Sequence, residues 1–254
     1  MSISFLRRSG WAAIILIIVA AAVFLFWGPL STGLRLPIPS FGLAQTIDGL
    51  PNMPDKPQPR WIPLDSCPPE GEGGDPKMNL LENRVDSAKY VPVPFDALTT
   101  LTWPKNVERL EMKDWSEANL AYISQYEGIP VSVEGYFVNL RESSPEPANC
   151  NWESSSYLNW IISFTKNPRD DRAQAVIVEV TPRVRLSRKW TIDLIHNLIM
   201  GDHLPVRVSG WLYFDPQHPG DVGHTRATLW SIHPVMQIEI NQDGRWFPLD
   251  RLPN

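Results

Sequence analysis

The chain has 254 residues, 43% hydrophobic and 20% charged, with a net charge of −5, enough for one domain with appendages or two small ones. Its 25 prolines against 15 glycines exclude a long coiled coil or a plain helical bundle. The excess of acidic residues argues against a protein built to neutralise phosphates, and two cysteines cannot supply a disulfide scaffold or a four-cysteine zinc site.

Residues 1–10 contain Arg7 and Arg8, and residues 11–30 read WAAIILIIVAAAVFLFWGPL without a charge. At about 1.5 Å rise per residue this stretch matches the roughly 30 Å hydrocarbon core, so it predicts a single transmembrane helix. Trp11 and Trp27 stand where indole rings favour the headgroup level, and Pro29 ends the span. Arg7 and Arg8 precede it and only Arg35 closely follows, which predicts a cytoplasmic N-terminus and a body outside, periplasmic if the membrane is a bacterial inner one. A cleaved secretory signal is the rival, and it leaves the body on the same side.

Residues 31–76 hold 10 of the 25 prolines and show neither helical nor strand periodicity. They predict a proline-rich extended arm that spaces the body from the bilayer or lies in a partner's groove. Leu36, Ile38, Phe41 and Trp61, interleaved with the prolines, are its candidate contact residues. Cys67 lies in the arm and Cys150 in the body; in an oxidising compartment the two can pair, or they remain two thiols.

Residues 77–128 are expected to wrap irregularly, with a short helix around Leu80 to Ala88 and another over 115–127, N-capped by Asp114 and closed by Gly128. From 129 to 240 the period becomes two: runs at 129–140, 156–164, 173–181, 205–214 and 225–240 predict five strands. A helix near 188–200, stopped by Gly201, falls between the third and fourth. That order predicts a mainly β protein built on the five-stranded Greek-key barrel of the OB-fold, with Gly135 and Gly210 bending its strands and residues 241–254 as a tail. Val131, Val133, Val176, Val178, Val206, Val208 and Leu212 are its expected interior, and the alternation turns Trp211 and Tyr213 outward as a contact patch.

Arg183, Arg185, Arg188 and Lys189 precede the barrel helix and form a candidate anion site, weighed against a solvated loop. All five histidines come late, at 196, 203, 218, 224 and 233, but no spacing matches a known ligand pattern, so neither metal nor cofactor is expected. No glycine-rich phosphate loop, nucleophile elbow or HExxH motif is present.

The stretches GWLYFDPQHP (210–219), TRATLWSIHPVMQIEI (225–240) and AVIVEVTPR (175–183) resemble a group of uncharacterised bacterial extracytoplasmic OB-fold-like proteins. The resemblance implies the barrel fold and marks Asp215, His218, Arg226 and His233 as family-motif polar residues. Members carry an Asp-x-His on the second strand and a Glu two residues before the His-Pro; Tyr157-Leu158-Asn159 and Ser231 stand there in this chain. A polar site in the group would therefore lack an imidazole and a carboxylate here.

Together these features predict a non-catalytic, membrane-anchored extracytoplasmic interaction module, an accessory or stabilising subunit of an integral membrane protein complex. The alternatives are an extracytoplasmic OB-fold binding protein for oligosaccharide or nucleic acid, with nucleic acid disfavoured by the charge, and a metal-dependent hydrolase using the late histidines. A small-molecule ligand is left open.

Overall fold

The computed structural model describes residues 49–251 apart from Pro54 and Asp202. The expected membrane helix at 11–30 and the contact residues Leu36, Ile38 and Phe41 lie outside the described residues. Among the described residues no helix is long and apolar enough to cross a membrane.

In chain order the elements are α1 (Pro76–Glu82), β1 (Val91–Pro92), α2 (Phe95–Thr99), α3 (Glu117–Ile123), β2 (Pro130–Glu142), β3 (Trp160–Thr165), β4 (Val176–Val180), α4 (Pro182–Arg185), α5 (Ile192–Met200), β5 (Val206–Phe214), β6 (Trp230–Gln242) and β7 (Arg245–Pro248). Five of the strands close a barrel in the order β2-β3-β4-β6-β5, with β5 returning to pair β2. All its neighbours are antiparallel except β4 and β6. With α5 between the third and fourth barrel strands, this is the OB-fold topology.

The expected interior holds: Val131, Val133, Val176, Val178, Val206 and Val208 are fully buried and Leu212 nearly so. Gly135 and Gly210 sit where the barrel turns. β2 pairs with β5 up to Gly135 and with β3 from Tyr136 onward, and a Cβ on Gly135 would lie 2.4 Å from the Thr165 carbonyl. At Gly210 the β5–β6 register shifts, and a Cβ there would lie 2.4 Å from the Pro234 carbonyl.

Helix ends differ from the sequence reading because side-chain caps compete locally. Ser116, not Asp114, caps α3 by accepting from the Asn119 N–H; Asp114 belongs to a single 3₁₀ turn before it. Asp75 accepts from the Lys77 N–H and Pro76 follows at the first helical position, so the first helix starts at Pro76 rather than near Leu80. Thr191 caps α5. The tail contains β7, a hairpin partner of β6 across Asp243-Gly244, both at positive φ.

The described part of the arm is not a free spacer. Leu50 joins the main core, Leu64 and Cys67 are buried, and Cys67 is disulfide-bonded to Cys150 with Cα atoms 5.8 Å apart. Arg183 lies beneath the crosslink, fully buried. It donates to the carbonyls of Ile62, Cys67, Pro68 and Ala148 and to the side-chain oxygens of Asn83 and Asn149, at 2.8–3.3 Å. One guanidinium thus ties arm, wrap and barrel together.

Candidate functional site

The family-motif residues meet at one end of the barrel. β5 ends at Phe214, so Asp215 enters the following loop within reach of Arg226, at 2.5 Å, and of His218 Nδ1, at 2.8 Å. Arg226 is buried and also donates to the Thr228 carbonyl. Burial alone would raise the Asp215 pKa, but the Arg226 charge and then the His218 hydrogen bond hold the carboxyl well below the usual range. The same hydrogen bond raises His218. With Asp215 ionised, His218 donates through Nδ1, which leaves Nε2 free to act.

His233 projects from β6 beside this pair and keeps only 4% of its surface. Its Nδ1 lies 3.9 Å from Glu179 Oε2, its ring meets Tyr213 edge-on at 5.2 Å, and its Nε2 has no hydrogen-bond partner. Burial lowers its pKa, so the ring is neutral near pH 7.

Three carboxyls complete the site. Glu82, from the end of α1, accepts a 2.6 Å hydrogen bond from the Tyr213 hydroxyl. Glu146 and Glu179 share the Asn159 amide, which donates to them at 2.7 and 3.4 Å. Asn149 holds Asn159 from behind, donating to its Oδ1 at 3.0 Å, and Asn149 in turn accepts from Arg183. Burial raises all three glutamate pKa values; the Glu179 and then the Glu82 charge add to the rise at Glu146, and the Asp215 charge adds to that at Glu179. Burial and the neighbouring Glu82 charge push Tyr213 well up. Glu82, Glu146, Glu179, Tyr213, His218 and His233 line a cavity of 430 Å³, within the size range of small-molecule pockets.

Of the other candidate residues only Tyr213 lines this cavity. Trp211 and Tyr213 keep 1% and 3% of their surface and form no exposed patch. They do face away from the barrel interior, but the wrap covers them: the Arg84 guanidinium lies 3.4 Å above the Trp211 ring, and Glu82 covers Tyr213. Trp61 is 38% exposed and donates to the Leu80 carbonyl, so it too contacts its own chain. Three of the four residues of the basic run are engaged within the chain. Arg183 is sealed in, Arg185 donates to the Leu158 carbonyl and stacks on Trp160, and Arg188 pairs with Asp250 and the Met236 carbonyl. Of the four only Lys189 is exposed.

Sequence reasoning missed Glu82, Glu146 and Glu179. For Glu179 a signal existed, since a carboxylate set into the apolar run Val176–Val180 must find polar company or stay protonated.

No protein-family model matches the chain, and no curated protein matches it. A crystal structure of yeast Stn1 and Ten1 is similar at 10% identity and a TM-score of 0.31, over 61% of this chain. The match spans 65% of that chain, just under two thirds, and the likeness is too slight to carry an argument.

Proposed function

We propose that the protein is a membrane-tethered, extracytoplasmic binding module whose cleft takes a small polar ligand. The observation that carries this reading is His233 Nε2, buried without a partner on a cavity lined by three half-buried carboxyls. A buried polar atom left unpaired costs about 1–3 kcal/mol; a ligand donor would recover it. Asn159 favours binding over catalysis, because the group that clamps Glu146 and Glu179 is an amide that does not titrate. The Cys67–Cys150 bond suits an oxidising compartment and so supports the extracytoplasmic placement.

The reading is tested by thermal shift on the full chain in detergent, against alkylamines, neutral sugars, nucleotides and divalent cations. At least one class raises the melting temperature of the wild type and leaves that of His233→Ala unmoved. Equal shifts in both proteins, or none in either, refute it. Topology is tested separately: protease reaching the outer face of the cytoplasmic membrane digests residues 31–254, and protection of that portion refutes the tether.

A second reading rests on the Asp215–His218 pair, whose geometry suits a general acid or base acting on a bound ligand. Turnover of a bound compound, lost in His218→Ala with binding retained, would establish it in place of the first.

A further inference from the structure

We propose that the occupant of the cleft is a small organic cation, a primary ammonium or a guanidinium, held by Glu82, Glu146, Glu179 and His233. The proposal rests on the binding-module reading and adds the ligand's chemistry. It follows from counting donors and acceptors. Tyr213 spends its hydroxyl proton on Glu82, and the Asn159 amide spends its Nδ2 on Glu146 and Glu179. His233 Nδ1 is the ring nitrogen on the Glu179 side, 3.9 Å from Oε2, and Nε2 is the buried nitrogen that has no partner. Once its carboxyls are ionised the inner surface offers mainly acceptors, His218 Nε2 being the exception.

The charges point the same way. The cations beside the cleft are already committed: Arg226 and His218 both serve Asp215, and Lys113 pairs with Glu111 at the mouth. Asp75 caps α1 and accepts from the Lys113 N–H, so it is spent as well. Arg109 lies exposed at the rim. Among the described residues no Lys or Arg forms an ion pair with the three glutamates; burial first, and neighbouring carboxylates second, raise their pKa values, so that Glu146 keeps its proton near neutral pH when the cleft is empty. A ligand with several N–H donors and a positive charge would take over the role of that proton.

A bare metal ion fits less well. It needs three or more donors converging at about 2.0–2.6 Å, and among the described residues no group of three His, Cys, Asp or Glu is so placed. An ammonium or guanidinium instead reaches its acceptors at about 2.7–2.9 Å and spreads its donors over a wider span, which suits a cavity of 430 Å³.

Because the cation displaces protons, binding must release them and tighten as pH rises. The test is isothermal titration of the full chain in detergent with agmatine and with cadaverine, at pH 6, 7 and 8, in buffers of different ionisation enthalpy. At least one amine is expected to bind, about tenfold tighter at pH 8 than at pH 6, with net proton release. Glu179→Gln and Glu146→Gln, both close in shape to the native residues, should each weaken it tenfold or more, and Lys189→Ala should leave it unchanged. Binding that is insensitive to pH, or to both glutamine variants in proteins that melt like the wild type, overturns the proposal. Glucose, zinc and calcium run as parallel probes. If one of these binds in a His233-dependent way and neither amine does, the binding module survives and its cationic ligand falls. If nothing binds, both readings fall together.

Discussion

The crosslink between Cys67 and Cys150 offers the sharpest test of how the arm belongs to the body. It closes a loop with a sequence separation of 83. In the chain-entropy account such a loop removes about 15 cal/mol/K from the unfolded ensemble, or about 4.5 kcal/mol at 25 °C. The double variant Cys67→Ser/Cys150→Ser should therefore lose up to about 4.5 kcal/mol in urea unfolding, and its melting temperature should fall by about 9–18 °C for a body of this size. The folded state should survive, since Arg183 still binds the Ile62, Cys67 and Pro68 carbonyls and Leu50 still lies in the core. Amide exchange should accordingly accelerate most over residues 60–72. A loss below about 1 kcal/mol, with exchange unchanged there, would refute the reasoning and return the arm to the role of an independent tether.

Three further outcomes follow from single groups. Arg183→Met removes a fully buried guanidinium and strands the Asn83 and Asn149 oxygens, so it should cost about 3–5 kcal/mol by urea unfolding; a neutral result would show that the knot is not structural. Gly210→Ala forces a Cβ to 2.4 Å from the Pro234 carbonyl and should cost about 1–3 kcal/mol, as read by thermal unfolding. Burial pushes Glu127, which accepts from the Phe214 N–H, up to about 7. The folded state then binds more protons than the unfolded one between about pH 4.5 and 7, so stability falls as pH rises through that window, by as much as about 3 kcal/mol from this group. Glu127→Gln should flatten that slope in urea melts, and a slope of opposite sign would refute the assignment.

The barrel was legible because its signal is local. Strands of period two, a Gly-stopped helix between the third and fourth, and glycines at the bends each declare themselves within a dozen residues, and the closed β2-β3-β4-β6-β5 order follows from their succession. The arm was not legible, because what holds it is long-range. Proline content correctly denied residues 49–75 a helix or a long strand, but it says nothing about whether an irregular segment finds a surface. That was decided by Arg183, which sits more than a hundred positions from the arm carbonyls it binds and reads in sequence as one more member of a basic run. Trp211 shows the same limit from the other side: alternation turns it out of the barrel, but only the tertiary fold shows Arg84 stacked over it.

The cleft was half legible for the same reason. Its motif half, Asp215, His218, Arg226 and His233, lies within nineteen residues of chain and was marked by one resemblance. Its carboxyl half comes from the end of α1, the loop after β2, and β4, three places with no shared pattern. The two halves depend on each other physically. Glu82 reaches Tyr213 because α1 lies against the barrel, and Glu146 is fixed by the loop that carries Cys150 and accepts the Glu72 N–H at Pro147. Asn149, in that same loop, passes the Arg183 contact on to Asn159 and so to Glu179. The crosslink that secures the arm therefore also assembles the site. Opening it should weaken any ligand that needs Glu82 and Glu146 more than it weakens the Asp215–His218–Arg226 cluster, which is built wholly from the barrel's own strands and loop.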